Sequence, residues 1–169
     1  MAIRNIRVDD DPILRKKSRE VTEFNDRLFD LLDDMKETMY HSGGVGLAAP
    51  QVGVLRRIVL VETERGQLYE MINPEIIATE GEQHNIEGCL SVPDKCGITN
   101  RPMKVTVRAM NRKGEIYEVT GTDLKARAFC HEIDHLDGIL YKDKLIKIFI
   151  KTYTKKIFND IIGIQWNNY

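Results

Sequence analysis

Two histidines separated by three residues constrain this chain more than any other feature of its sequence. His131 and His135 enclose Glu132 in a His-Glu-x-x-His pattern. On a helix, residues four apart lie on one face, so both imidazoles can converge on a single cation, and the glutamate can reach water bound to it. The pattern therefore predicts a metal site with a general base beside it, and a solvent-facing helix with two histidines is the alternative.

The flanking residues indicate a helix that faces the core. Thr122 or Asp123 can cap its start, and Gly138 follows as a stop signal. One stripe at helical spacing joins the site to the interior: Leu124, Ala128, His131 and His135. We therefore predict that this helix is buried, with its histidines turned inward.

Composition is that of a soluble globular protein. The 169 residues, of which 42% are hydrophobic and 30% charged, predict a single domain spanning 1–169. A net charge of −1 gives no attraction toward DNA or a membrane surface. The chain shows neither an apolar run of membrane-spanning length nor the apolar core of a signal peptide. We therefore predict a cytoplasmic protein with no membrane or DNA partner.

Periodicity predicts helices together with antiparallel strands. Residues 26–41 carry apolar side chains at helical spacing, and Asn25 can cap them. Strands are predicted at 57–62, 68–73, 75–79, 103–110 and 115–121, with a hairpin turn at 111–114. Residues 87–93 predict a loop or strand end with an exposed thiol. The C-terminal segment predicts a final helix near 152–162. Whether a strand precedes that helix is left open by the sequence pattern. The resulting fold class is α+β.

A glycine-rich stretch, residues 43–53, lacks the Lys-Ser/Thr of a phosphate-binding loop and follows a helix. Its small residues instead predict close backbone approach to a ligand or to another strand. Gln51 can aim its amide at a buried group.

A catalytic metal site needs three protein ligands and one open position. Beside the two histidines, the third ligand is open between Cys89, an upstream acidic residue and His84. Gly88 frees the backbone next to Cys89, but a buried apolar cysteine is an equal alternative. Cys96 and Cys130 are interpreted as core residues; Cys130 adjoins His131, so its side chain points about 100° away around the helix.

Three motifs then resemble the signature of the peptide deformylase family, in the family's order. They are Gly44-Val45-Gly46-Leu47-Ala48-Ala49-Pro50-Gln51, Glu87-Gly88-Cys89-Leu90-Ser91 and His131-Glu132-Ile133-Asp134-His135. The resemblance covers essentially the whole chain. One departure is Cys130, where many members carry glutamine. The resemblance implies antiparallel sheets surrounding a central metal-binding helix, with an N-terminal helix and a C-terminal helix.

The resemblance also implies an activity and a mechanism. The enzyme would remove the formyl group from the N-terminal formyl-methionine of new polypeptides and release formate. Cys89, His131 and His135 would hold one divalent metal, natively Fe²⁺, with Zn²⁺, Ni²⁺ or Co²⁺ able to occupy the site. Metal-bound hydroxide would attack the formyl carbon, with Glu132 as general base and then acid. The Gln51 amide and the Leu90 backbone N–H would stabilise the oxyanion.

Position relative to the motifs predicts a pocket for the methionine side chain. Its candidate residues flank the three motifs, and several are equally interpreted as core: Val45, Gly46, Ile86, Gly88, Leu124 and Ala128. Arg101 is a candidate partner of Glu87 that would hold the cysteine segment, or else an unrelated surface arginine.

Formyl-methionyl nascent peptides are the predicted partners. The lysine-rich C-terminal segment suggests contact with the ribosome, although a solvated helix face is the simpler interpretation. Two rival classes are a metallopeptidase that shares the His-Glu-x-x-His helix and a non-catalytic metal-binding module. The cysteine motif argues against the first, and the presence of Glu132 and Gln51 argues against the second.

Overall fold

The fold is that of a computed structural model that describes residues 2–150. Helix α1, Asp26–His41, confirms the predicted helix at its exact bounds. The Asn25 side chain accepts a hydrogen bond from the Leu28 N–H at 3.2 Å and so caps the first turn. The buried face of α1 consists of Leu28, Leu31, Leu32, Met35, Thr38 and Met39. The predicted helix near 152–162 lies outside the described residues.

A five-stranded antiparallel sheet forms one wall, in the order β1-β2-β3-β6-β7. Its strands are β1, Gly46–Ala48; β2, Ile58–Val61; β3, Tyr69–Glu80; β6, Lys104–Met110; and β7, Ile116–Thr122. Strand β1 belongs to the glycine-rich stretch, and a 3-10 helix, Ala49–Val52, follows it directly. The stretch therefore leads from α1 into the edge of the sheet.

Strand β3 is continuous where the sequence predicted two strands separated by a turn. Asn73 lies within it at a φ of 50°, and the pairing with β6 shifts register at this point. The Asn73 side chain accepts from the Val21 N–H at 2.8 Å and donates to the Val21 carbonyl at 2.9 Å. The Val21 backbone therefore bonds the polar side-chain groups of Asn73 that a turn would have used. The strand continues through a bulge at this residue.

A second antiparallel sheet has the order β4-β5-β8. Its strands are β4, Gln83–Cys89; β5, Val92–Arg101; and β8, Leu145–Ile150. Cys89 closes β4, as the loop-or-strand-end prediction allowed, but the residue is buried, with only 9% of its surface exposed. The prediction of an exposed thiol was wrong, because the β4–β5 hairpin folds this end of the strand against the interior.

Helix α2, Asp123–His135, lies between the two sheets. Ala126, Phe129 and Ile133 pack against buried residues of the five-stranded sheet, including Val59 and Val107. The helix is succeeded by Gly138 at a φ of 71°, where a Cβ atom would lie 2.4 Å from the Arg15 carbonyl oxygen. Only glycine fits this stop. Antiparallel sheets around a central helix confirm the predicted α+β class.

An N-terminal arm, residues 2–9, runs along α1 and continues to the segments around Gln51 and Ser91. The Arg7 N–H donates to the Gln51 carbonyl, and the Asp9 N–H donates to the Ser91 carbonyl, both at 2.7 Å. The arm therefore ties together the segments that follow β1 and β4. Within residues 2–150, no helix combines the length and apolar character needed to cross a membrane.

Candidate metal centre

Three side chains from two elements converge beneath the β4–β5 hairpin. The ligand atoms of Cys89, His131 and His135 all lie within 4.8 Å of one another, and the Cys89 Sγ is 3.3 Å from His135 Nε2. Helix α2 supplies the two histidines one turn apart, and the end of β4 supplies the thiol. One sulfur and two imidazole nitrogens form a donor set that suits several divalent transition metals and leaves a fourth position open.

The electrostatics of the three donors fit a cation. Burial would lower the pKa of His131, but the neighbouring Cys89 and Glu87 outweigh it and raise that pKa well above its usual value. Burial and the charge on His131 lower the pKa of His135 well below its usual value. The groups that raise the pKa of His131 attract positive charge to this point, that of a proton or of a metal ion alike.

Glu87 fixes the orientation of the His131 ring. His131 Nδ1 lies 2.9 Å from Glu87 Oε2, so Nε2 is turned toward Cys89 and His135. Thr99 donates to Glu87 Oε1 at 2.7 Å, and Arg101 donates to both carboxylate oxygens at 2.7 and 3.1 Å. Burial opposes ionisation of Glu87, but the hydrogen bonds from His131 and Arg101 hold its pKa well below the usual range.

Arg101 links Glu87 to the metal helix. It is 3% exposed, and its Nη1 donates to Asp134 Oδ2 at 2.6 Å. Lys144 approaches the same carboxylate at 3.1 Å from the surface. The predicted pairing of Arg101 with Glu87 is confirmed, and the alternative of a surface arginine is wrong.

Glu132 is held against the backbone of β1. Its carboxylate is 5% exposed, and among residues 2–150 its Oε2 has no hydrogen-bond partner. A Cβ atom on Gly46 would lie 2.4 Å from Glu132 Oε1, so the absence of a side chain creates the space for this carboxylate. Burial raises the pKa of Glu132 to about 7. A buried carboxylate with a free oxygen and this pKa is suited to exchange a proton near neutral pH.

Gln51 directs its amide nitrogen at the cysteine segment. Its Oε1 accepts from the Ala48 N–H at 2.8 Å, which fixes the direction of the amide. Its Nε2 then donates to Ser91 Oγ at 3.1 Å and approaches Cys89 Sγ at 3.6 Å. Leu90 directly follows Cys89 and is half-buried. Its backbone N–H therefore lies beside the cysteine, in the turn between β4 and β5.

The candidate pocket residues occupy different surfaces. Leu124 lies two turns and Ala128 one turn before His131 on the same face of α2, and Val45 directly precedes Gly46. Ile86 and Gly88 alternate with Glu87 and Cys89 along β4, so they lie on the opposite face of the strand.

The sequence analysis missed several residues at the site. Alternation along β4 places Asn85 on the face of Glu87, and helical spacing places Arg127 one turn before His131. Both signals were present in the sequence. Tyr141 was also missed, and its ring stacks on His131 at a centroid distance of 6.0 Å. That contact depends on the path of the chain after α2 and has no local signal.

Comparison with known families identifies the family to which this chain belongs. The family model described as polypeptide deformylase matches residues 3–149. The chain belongs to the polypeptide deformylase family. It is 57% identical over 147 residues to a peptide deformylase from Alkaliphilus metalliredigens, covering 87% of this chain and 99% of the relative. As a member of the deformylase family, it is a metal-dependent hydrolase.

Solved structures of deformylases share the whole described fold. The crystal structure of the Thermotoga maritima peptide deformylase superposes with a TM-score of 0.83 at 39% identity, covering 86% of this chain and 99% of that one. The class I type b peptide deformylase from Acinetobacter baumannii, solved with Met-Ala-Ser bound, superposes with a TM-score of 0.82 at 31% identity. That comparison covers 85% of this chain and 99% of the relative.

Proposed function

We propose that this chain removes the formyl group from the N-terminal formyl-methionine of newly made polypeptides and releases formate. The observation that carries the proposal is the buried Glu132 carboxylate, whose Oε2 is without a hydrogen-bond partner among residues 2–150 and stands beside three convergent donors. Family membership supports the reaction class. The related deformylase solved with Met-Ala-Ser supports a peptide with an N-terminal methionine as product.

Cys89, His131 and His135 hold one divalent metal in this proposal, with Fe²⁺ as the native ion and Zn²⁺, Ni²⁺ or Co²⁺ able to replace it. When bound, such a metal lowers the pKa of a water molecule and polarises a carbonyl group. The Glu132 oxygen without a hydrogen-bond partner among residues 2–150 and the three convergent donor atoms both fit an ion at this position.

Glu132 moves the proton. Its carboxylate accepts a proton from the attacking water and then gives it to the amine that leaves as the C–N bond breaks. The water oxygen ends in formate, and the peptide leaves with a free amino group. Because burial raises the pKa of Glu132 to about 7, both protonation states are accessible near neutral pH.

Gln51 and Leu90 stabilise the negative charge that develops on the formyl oxygen. The Gln51 amide is already fixed by Ala48, so its Nε2 needs little reorganisation to donate to that oxygen. The Leu90 N–H supplies a second donor from the backbone. Gly46, Val45, Leu124 and Ala128 then border the substrate, and the tight contact between Gly46 and Glu132 leaves little room for an acyl group larger than formyl.

The test is formate release from formyl-Met-Ala-Ser by protein purified anaerobically with Fe²⁺. We expect turnover by the unaltered chain, none with acetyl-Met-Ala-Ser, and a loss of about a hundredfold or more in Glu132→Gln. Metal content, measured on both proteins, shows whether the variant loses activity through its missing catalytic group or through loss of the metal. Cleavage of an internal peptide bond would support the peptidase class instead, and bound metal without formate release would support a binding module.

Three expectations remain predictions. They are cytoplasmic location, a single domain over 1–169, and ribosome contact through the lysine-rich C-terminal segment, most of which lies outside the described residues.

A further inference from the structure

Arg127 presents a cation between α2 and β4, the two elements that carry the candidate metal centre. It lies on α2 four residues before His131, so both side chains belong to one face of the helix. Its Nη1 donates to Gln83 Oε1 at 2.7 Å, and the residue is half-buried between α2 and β4. The guanidinium is thus held at the same α2–β4 wall as the candidate metal centre.

Gln83 holds this guanidinium without neutralising it. The Gln83 Nε2 donates to the Pro102 carbonyl at 2.8 Å and to the Asp123 carbonyl at 2.9 Å. Two fixed carbonyls therefore set the direction of the amide and turn its oxygen toward Arg127. Asn85 donates to the same oxygen at 3.3 Å. Each of these polar partners is uncharged.

The charge of Arg127 is unpaired within the described part of the chain. No carboxylate among residues 2–150 forms an ion pair with it, whereas Arg101 and Arg112 each engage two carboxylates. Glu87, the nearest buried acid on β4, is occupied by Arg101 and Thr99. Burial lowers the pKa of Arg127, and the more distant Glu87 and Asp123 only partly oppose this. A half-buried cation is costly unless an anion can reach it.

The position of the guanidinium sets which part of a substrate can reach it. Side chains on a helix lean toward its N-terminus, and Gln83 draws Arg127 to the level of Asp123. Eight residues separate Asp123 from His131, which is about 12 Å along the axis at a rise of 1.5 Å per residue. An extended peptide advances about 3.3 Å per residue. A peptide that extends from the metal centre along α2 toward the helix N-terminus would therefore reach Arg127 near its third residue.

We propose that Arg127 is a specificity-determining residue that binds a side-chain carboxylate at the second or third residue of the formylated peptide. This inference rests on the proposed deformylase function and names a preferred substrate class for the same site. The bond is an ion pair at a partly exposed position, so its effect is modest and falls as salt rises.

The experiment compares kcat/KM for formyl-Met-Ala-Glu, formyl-Met-Ala-Gln and formyl-Met-Ala-Lys, all with amidated C-termini so that only the side chain carries charge. A second series places the same three residues directly after methionine. We expect the glutamate peptide to exceed the glutamine peptide by about fivefold at low salt in at least one series, with lysine below both. The ratio should approach one at 1 M salt.

The following variants test whether Arg127 itself, rather than the overall electrostatic field of the protein, causes the preference for glutamate. Arg127→Gln should bring the glutamate-to-glutamine ratio near one, and Arg127→Lys should retain most of it. Arg108→Gln removes the same charge from the outer face of β6, where Arg108 pairs with Glu118, and should leave the ratio unchanged. A ratio near one in the unaltered enzyme, or one that survives Arg127→Gln, overturns the inference. Absence of formate from every peptide would instead overturn the proposed function.

Discussion

His131 Nδ1 and Glu87 Oε2 lie 2.9 Å apart in the buried centre of the molecule. This contact leaves only Nε2 of the ring free to face Cys89 and His135. The carboxylate is itself held by Arg101, which also reaches Asp134 on the metal helix. Orientation of the metal-facing ring therefore depends on a buried ion network that joins β4, β5 and α2.

Replacement of Arg101 by leucine tests this dependence. The change leaves Glu87 without its cation in a buried environment, so we expect metal affinity to fall about tenfold to a hundredfold. The free energy of unfolding should fall by about 3 kcal/mol or more. Chelator competition measures the first quantity and urea unfolding measures the second.

Arg108→Leu is the matched control, because it removes an arginine from an exposed ion pair with Glu118. We expect a change in stability below about 1 kcal/mol and no change in metal affinity. Equal metal affinity in Arg101→Leu and the unaltered protein would show that Glu87 orients His131 without help.

Gly46→Ala tests the space that β1 leaves for Glu132. An alanine Cβ would lie 2.4 Å from Glu132 Oε1 and 2.8 Å from its Cδ, so the carboxylate must move. We expect kcat to fall by about a hundredfold while the metal is retained, because the acid–base group no longer sits at its working position. Formate release and metal content are measured on the same sample.

Gly44→Ala is the control for that substitution. Its Cβ would lie 2.8 Å from the tip of the half-buried Leu90 side chain, which can turn away, and 3.3 Å from the Gly46 carbonyl oxygen, but it would not contact Glu132. A similar loss of activity in both variants would attribute the effect to the rigidity of the glycine-rich stretch rather than to Glu132.

Local patterns predicted the two helices and most of the first sheet. Helix α1 has a full apolar stripe and an N-cap, and α2 carries the histidine motif. In both cases the residues that predict the helix lie in the helix itself or directly beside it. Strand β4 gave no such signal, because its buried face carries Gln83, Glu87 and Cys89 in place of apolar residues. The polar side chains that build the site therefore remove the apolar alternation by which a strand is predicted from sequence.

Distant contacts account for what sequence reasoning left out of the site. The glutamate at 132 was identified from its motif, but its contact with Gly46 joins residues that are far apart in the chain. Helical spacing placed Arg127 one turn before His131, but it gave the side chain no partner. Its hydrogen bond to Gln83 appears only when β4 is placed beside α2.

Gln51→Leu tests the amide as an oxyanion donor. Leucine keeps the approximate volume but removes the Nε2 group that now reaches Ser91 and Cys89. We expect kcat to fall by about a hundredfold or more with metal content unchanged. Gln67→Leu, an exposed glutamine that bonds to Glu64, is the control and should retain full turnover. Loss of metal in Gln51→Leu would assign the residue to the cysteine ligand instead.

Asp34→Asn tests how firmly the N-terminal arm is held at different pH values. Asp34 accepts from the Ala2 N–H at 2.6 Å and from Arg4 Nε at 3.0 Å. Burial opposes ionisation, but these bonds and the charge of Arg4 lower the pKa of Asp34 below its usual value. A carboxyl group with a lowered folded-state pKa stabilises the fold above its unfolded pKa, and that gain is lost as pH falls through the folded-state pKa.

We therefore expect Asp34→Asn to be less stable than the unaltered chain by about 1 kcal/mol at pH 7, with the difference shrinking below about pH 4. Urea unfolding at a series of pH values measures it. The same change at Asp30, an exposed position on α1, should have a small effect on stability. A deficit in Asp34→Asn that persists unchanged at pH 3 would show that the amide alters the packing of the arm rather than its charge.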